Sequence, residues 1–262
     1  MKRLWVILAA LILTPAHAAE TAQQVLACMH ANIPSTLRVQ DIELATTDSN
    51  GAVNTLKGTV YAMREPAAAG RSLMRVMLHV SAPPSFAGAA YLVREETDYL
   101  KDGMFVYLPS VKRVRRVTGT FADGALLGTN FSYNDFKQME NAFGDSAAKL
   151  EAPDSVDGRP AYVLQFKPRA GEASLYTSVR SWVDQKTCVP LKLNFYAGTK
   201  LRKSLTSPAD ALQQSGKFWY LSQVEMHDLE TGTKTVLRVN HVTIGAPLSK
   251  NYFNPVSFYQ GN

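Results

Sequence analysis

The 262-residue chain carries 28 Lys and Arg against 22 Asp and Glu, a net charge of +6 with histidine neutral, and 46% of its residues are hydrophobic. The basic excess falls to +4 once the leader described below, with Lys2 and Arg3, is set aside. So mild a balance in an exported chain argues against nucleic acid as a partner. The length is large for an average domain but within the range of all-β sandwiches and barrels that form one unit.

Lys2 and Arg3 precede an apolar run from Leu4 to Leu13, then Thr14-Pro15 and Ala16-His17-Ala18. A charged start, an apolar stretch of about 10 residues and small residues flanking a polar one make a secretory signal peptide. Cleavage after Ala18 and a soluble exported protein are therefore expected. The run falls short of the roughly 20 apolar residues that a membrane span requires, and no later stretch reaches that length. Val25-Leu26-Ala27-Cys28 loosely echoes a lipoprotein signal. Polar residues before it detach it from the apolar run, so lipidation is not expected.

Val25, Leu26, Met29 and Ile33 form one stripe of a helix over Thr21–Ile33, which ends before Pro34. Strand periodicity then dominates. Ser72 to Val80 places Met74, Val76, Leu78 and Val80 on one side and Leu73, Arg75, Met77 and His79 on the other. Met104, Val106 and Leu108 alternate with Phe105 and Tyr107, so that strand is apolar on both faces. Leu191, Leu193 and Phe195 alternate with Lys192, Asn194 and Tyr196. Phe218, Tyr220, Val224 and Met226 share a face opposite Gln223 and Glu225. Ser49-Asn50-Gly51, Asp102-Gly103, Asp157-Gly158, Ala197-Gly198 and Thr231-Gly232 mark turns. Midway, Ser132 is placed to cap a helix containing Tyr133, Phe136, Met139 and Phe143, with Asp135 in the capping-box position. The pattern predicts a mainly β (α+β) fold: a curved antiparallel sheet or partly closed barrel. Either helix could lie across its concave face. No linker or repeat divides residues 19–262, which read as a single domain.

Cys28 and Cys188 are an even pair without CxxC spacing. In an oxidising compartment they read as one long-range disulfide, the alternative being two buried free thiols.

Catalytic chemistry finds no footing. The mature chain's histidines, His30, His79, His227 and His241, are scattered, and no HExxH or cysteine–histidine cluster occurs, so no metal site is predicted. Ser146-Ala147-Ala148-Lys149 matches S-x-x-K at chance level and lacks its SDN and KTG companions. Gly119 to Gly124 has the glycine spacing of a phosphate loop, but Ala125-Leu126 follow where that loop needs Lys and a hydroxyl. Glu95, Glu96 and Asp98 read as a solvated turn rather than a cation site. No catalytic residue and no cofactor is assigned.

Eight Met, 11 Phe and 11 Tyr remain to be explained. Strands apolar on both faces can pack internally on one and line a cavity on the other. Methionine suits a cavity that accepts chains of varied shape. An acyl chain gains about 0.8 kcal/mol per CH₂ removed from water, so a carrier for one must offer such a cavity.

Tyr107 to Phe121, "YLPSVKRVRRVTGTF", and Leu126 to Phe136, "LLGTNFSYNDF", make the pattern specific. A strand ending in Leu108-Pro109, a basic run with Arg113, Arg115 and Arg116, and the Gly128, Thr129, Phe131, Ser132, Tyr133, Asp135 element resemble the LolA-like family, exported proteins similar to outer-membrane lipoprotein-sorting factors. Val156 to Pro168, Trp182 to Tyr196 and Glu225 to Val239 carry further likeness. Asn134 departs from it, since an acidic residue is common there. The resemblance implies a half-open antiparallel β-barrel with helices as a lid over an apolar cavity. It implies a non-enzymatic periplasmic carrier of a lipid or acylated protein between inner and outer membrane. An inner-membrane transporter of the resistance-nodulation-division type is the implied companion. On that reading Met74, Val76, Leu78, Tyr91, Val93, Met104, Val106, Leu108, Leu126, Leu127 and Phe131 would line the cavity. Arg113, Arg115 and Arg116 would dock anionic headgroups, in transient contact with a membrane surface, or an acidic partner. The bland alternative for these arginines is an edge strand whose cations block aggregation. The competing function is a periplasmic sensor on the same fold, regulating an envelope-stress factor or a transporter.

Overall fold

Thr21 sets where the first helix begins. Its hydroxyl accepts the Gln24 amide (3.2 Å) while Gln24 Oε1 accepts the Thr21 amide (2.8 Å), a capping box that opens α1 (Ala22–Ala31). Val25 and Met29 are buried, and Leu26 and Ile33 pack at the core's edge. The structure is a computed structural model, and it describes residues 20–67, 72–98, 103–140, 147–168 and 174–260. The predicted leader, Asp102, Phe143 and Ser146 lie outside these residues.

Six strands form a first meander: β1 (Arg38–Thr47), β2 (Val53–Pro66), β3 (Ser72–Ala82), β4 (Ala90–Arg94), β5 (Gly103–Leu108) and β6 (Arg113–Arg116). A 3₁₀ turn over Gly119–Asp123 and helix α2 (Tyr133–Glu140) follow. Next come β7 (Ala147–Leu150), β8 (Asp154–Val156), β9 (Arg159–Lys167), β10 (Ser178–Asp184), β11 (Pro190–Ala197) and β12 (Lys200–Thr206). The chain finishes with β13 (Leu212–Ser215), β14 (Phe218–Leu221), β15 (Gln223–Asp228) and β16 (Thr233–Ile244). One antiparallel sheet runs β6-β5-β4-β3-β2-β1-β16-β15-β12-β11-β10-β9-β7, with β8 also on β9. The β1–β16 pairing joins the two meanders, while β6 and β7 remain as edges. The sheet curls without closing. This is the half-open barrel, LolA-like in form. The β13–β14 hairpin stands outside it as a separate two-stranded ribbon.

The alternation holds on both faces. Met74, Val76, Leu78 and Val80 belong to the main core, as does Val106, with Met104 and Leu108 packed against it. Met77, Ala90 and Leu92 point the other way, into a second cluster with Phe105 and Tyr107 beside it. A C-terminal strap covers that convex cluster: Tyr252 and Phe258 are buried there. Tyr259 stacks on Tyr107 with centroids 3.8 Å apart, and Tyr252 lies 4.3 Å from Tyr61.

Two expectations need correction. Phe218 to Met226 is not one strand: Ser222 separates β14 from β15, its amide donating to Ala211 O (2.8 Å). Glu95 is not in a solvated turn but 4% exposed. Its Oε2 accepts the Met74 amide (2.7 Å), and its backbone oxygen accepts from Arg75 Nη1 (2.6 Å). A carboxylate that takes over a strand-end amide is held by the sheet, which a local cluster of acidic letters does not reveal.

Cys28 and Cys188 are bonded, with Cα atoms 5.7 Å apart and a separation of 160 positions in sequence. The bridge fastens α1 to the loop before β11. The chain-entropy relation gives up to about 5 kcal/mol for so long a loop. Replacing both cysteines by serine is expected to lower the melting temperature by on the order of 10 °C, read by thermal denaturation under non-reducing conditions.

Candidate functional site: a roofed apolar cavity

The Leu126–Phe131 segment is a knot rather than an open flap. Leu127 (φ 50°) and Gly128 (φ 80°) adopt left-handed conformations, which glycine tolerates and leucine does at a cost. The Leu126 amide donates to Phe131 O (2.8 Å), and the Thr129 hydroxyl donates back to Leu126 O (2.8 Å). Asn130 ties the knot to the sheet: its Nδ2 donates to Thr233 Oγ1 (2.6 Å), and its Oδ1 accepts from Thr235 Oγ1 (2.8 Å). Leu126 and Phe131 are thereby driven into the core.

Ser132 then caps α2 as predicted. Its amide donates to Asp135 Oδ2 and its hydroxyl accepts the Asp135 amide, both at 2.9 Å. The same Oδ2 accepts from Lys203 Nζ (3.2 Å) and Tyr176 OH (3.3 Å), and Lys203 also donates to Asn130 O (2.8 Å). Burial, and then the Asp135 charge, push the Tyr176 hydroxyl far above its ordinary pKa, so it stays a donor. Tyr133 presents its backbone oxygen to Tyr91 OH (2.9 Å), and Tyr91, Tyr133 and Phe136 form an edge-to-face aromatic cluster. Pro109 opens the tight turn to β6, closed by the Lys112 amide on Leu108 O (2.9 Å).

Between these elements and the concave face of the sheet lies a cavity of about 160 Å³. Its roof is Met29 of α1, Ile33 just after it, Phe136 and Met139 of α2, and Trp219, Tyr220 and Leu221 of β14. The floor comes from Ile42, Val60, Leu193, Leu205, Val224, Leu237 and Val239. Asn32, Arg38 and Gln40 are its polar margin. Asn32 braces that margin, donating to Thr187 O (2.6 Å) and accepting the Trp219 amide (3.0 Å).

The eleven residues expected to line a cavity sit on the concave face, yet none of them borders this one. Met74, Val76, Leu78, Tyr91, Val93 and Val106 are covered by the knot and α2, with Leu126, Leu127 and Phe131 as part of the cover. Met104 and Leu108 pack against the same cluster. The open space lies instead over β1, β2, β11, β12, β15 and β16. Alternation sets the face a side chain takes; it carries no information about which part of that face a loop will fill. The roof residues missed did have a signal, the α1 stripe and the apolar Trp219-Tyr220-Leu221 run.

Arg113, Arg115 and Arg116 are exposed on the edge strand β6. Three strands separate β6 from β2, the nearest strand in the cavity wall. At about 4.8 Å per strand that is on the order of 19 Å, so these cations do not form the cavity's margin. Among the described residues no group of three or more His, Cys, Asp or Glu could hold a metal.

The fold is LolA-like. Three solved structures share the architecture across nearly their whole length. A DUF1329 family protein from Desulfovibrio piger is 22% identical with a TM-score of 0.78, covering 88% of this chain and 94% of its own. A protein domain from Vibrio parahaemolyticus, named for outer-membrane lipoprotein sorting, has the same identity and TM-score over 90% and 97%. A LolA superfamily protein from Nitrosomonas europaea is 20% identical, with a TM-score of 0.69 over 90% and 98%. The chain belongs to the family whose model spans residues 73–258 and is described as "-like: Uncharacterized protein". No curated protein matches it.

Two outcomes test the network. Lys203→Met leaves the Asp135 carboxylate buried without its cation. A loss of about 3–5 kcal/mol is expected in urea denaturation. Burial, with the Asp135 charge second, raises the Asp123 pKa. Ionising Asp123 therefore disfavours the folded state above the ordinary carboxylate range. Asp123→Asn is expected to stabilise the protein at pH 7, and the gain should vanish as pH falls below about 4, followed by melting temperature against pH.

Proposed function

We propose that the protein is a non-enzymatic periplasmic carrier that shelters the acyl chain of a lipid or acylated protein and passes it between inner and outer membrane. The observation that carries this reading is the roofed apolar cavity on the concave face, with one polar margin. The disulfide fits an oxidising compartment, and two of the structural neighbours, one named for outer-membrane lipoprotein sorting and one for the LolA superfamily, support a lipid-binding type of fold. Delivery alongside an inner-membrane transporter of the resistance-nodulation-division type belongs to the proposal through the sequence resemblance alone. Residues 19–262 would act as one domain after loss of the leader.

The cavity's size bears on how loading works. About 160 Å³ is near that of a cavity that admits benzene and below the roughly 300–1,000 Å³ of ordinary ligand sites. A long acyl chain therefore needs the roof to lift. Helix α1 is held by the disulfide and by Asn32, and α2 by Asp135. The β13–β14 hairpin pairs with no strand of the main sheet and meets the end of α1 through the Trp219 amide on Asn32 (3.0 Å), so it is the part of the roof expected to lift.

Val239→Trp fills the floor of the cavity. It is expected to weaken uptake of a fluorescent fatty acid by about tenfold or more while costing no more than about 3 kcal/mol of stability. Full uptake by this variant, or absence of co-purifying lipid in native mass spectrometry of protein drawn from periplasm, would overturn the reading. Transfer between donor and acceptor vesicles separates a carrier, which speeds it, from a sensor, which does not.

A further inference from the structure

On the convex face, opposite the cavity, a second hollow of about 400 Å³ lies between β2, β3 and β4 and the C-terminal strap. Its walls carry three cations, Arg75, Arg94 and Lys250, against one carboxylate, Glu65. Strand register explains the cluster. Met63 stands opposite Arg75, and Arg75 opposite Arg94. Both guanidinium groups therefore leave the same face of neighbouring strands, where opposed side chains sit about 5 Å apart at Cβ and like charges repel.

Arg75 has its counter-charge. Nε and Nη2 reach Glu65 Oε2 at 2.9 and 2.8 Å, and Nη1 donates to Glu95 O at 2.6 Å. Arg94 does not. Its guanidinium makes no hydrogen bond or ion pair among the described residues, and its Nε is shut off from solvent. Lys250, on the strap, is exposed and forms no ion pair among the described residues. Buried donors in folded proteins are almost always met by protein, water or an ion, and a buried Nε–H left without a partner is costly. A water could accept from Nε, but it would leave two like charges side by side.

We propose that this hollow binds a phosphate-class oxyanion, held by Arg94 and Lys250 beside the fixed Arg75–Glu65 pair. A guanidinium fork and an ammonium suit the several oxygens of a phosphate. After Glu65 is paired, two positive charges remain for the ligand. Met63, Phe253 and Leu248, the last 55% exposed, give the same hollow an apolar side. A phospholipid headgroup with its glycerol would fill it more completely than free phosphate. The site stands apart from the cavity, and it holds whether or not the carrier reading does.

Calorimetric titration and thermal melting of the full mature chain in phosphate-free buffer test this. The two probes are inorganic phosphate and dihexanoyl phosphatidylglycerol below its micelle concentration, against sodium chloride at equal ionic strength. At least one probe is expected to bind and to raise the melting temperature above the chloride control. Tighter binding of the lipid identifies a headgroup site, and equal binding a free-phosphate site. Arg94→Gln is expected to weaken binding by about tenfold or more and to leave the melting temperature without ligand unchanged or higher. Lys250→Gln, an exposed change that folding does not notice, should weaken binding several-fold. Failure of both probes to bind, or binding that survives both substitutions undiminished, would overturn the proposal.

Discussion

Asp135 accepts hydrogen bonds from the Ser132 amide, the Tyr176 hydroxyl and the Lys203 ammonium. Those donors come from the start of α2, the segment before β10 and strand β12, so one carboxylate fastens three parts of the chain. Lys203 reaches onward to Asn130, whose side chain holds Thr233 and Thr235 on β16. With the Asn130 amide on Thr235 Oγ1 (2.9 Å), this chain of contacts holds the Leu126–Phe131 knot against the sheet. Such networks are worth having only when every member is satisfied. Here the left-handed turn at Leu127-Gly128 delivers the backbone groups that complete it.

The sheet is consequently divided by what covers it. Over β3 to β5 the concave face is filled by Leu126, Phe131, Tyr133 and Phe136. Over β1, β16, β15, β12 and β11 it is left partly empty under α1 and the β13–β14 hairpin. The convex face of the first meander is closed by the strap through the Tyr107–Tyr259 and Tyr61–Tyr252 contacts. A different solution serves the second meander. There Trp182 lies against Ala161 and Val163, with its indole donating to Asp154 on β8 (2.9 Å) and Lys192 Nζ 4.7 Å from its ring centre.

Much of this was legible in the chain because period-2 alternation is strict wherever both faces of a strand are buried. Met74 to Val80 and Met104 to Leu108 show it directly. The cap at Ser132 was legible for a local reason, since it depends on residues three apart. The site was harder to read. Nothing in the alternation of Met74, Val76 and Leu78 says that Phe131 will be pressed against them, because that contact depends on a backbone twist at Leu127 and on a lysine about seventy residues further on. Glu95 was misread for the same kind of reason: its partner is the Met74 amide across the sheet. The basic run was read as a docking rim with an edge strand as the alternative; it does lie on an edge strand, and its distance from the cavity follows from strand order, which no local pattern encodes.

The bridge between Cys28 and Cys188 has a consequence for when the roof forms. Helix α1 is the first described element in chain order, yet its anchor lies 160 residues later, beyond both α2 and the knot. Contacts so distant in sequence form late, since the intervening chain must be brought together first. Until β11 is in place, α1 is an amphipathic helix with Val25 and Met29 uncovered. The hydrophobic interior is therefore open to solvent through most of folding and shut only at the end. Whatever amphiphile is at hand during that interval competes with α1 for the same surface.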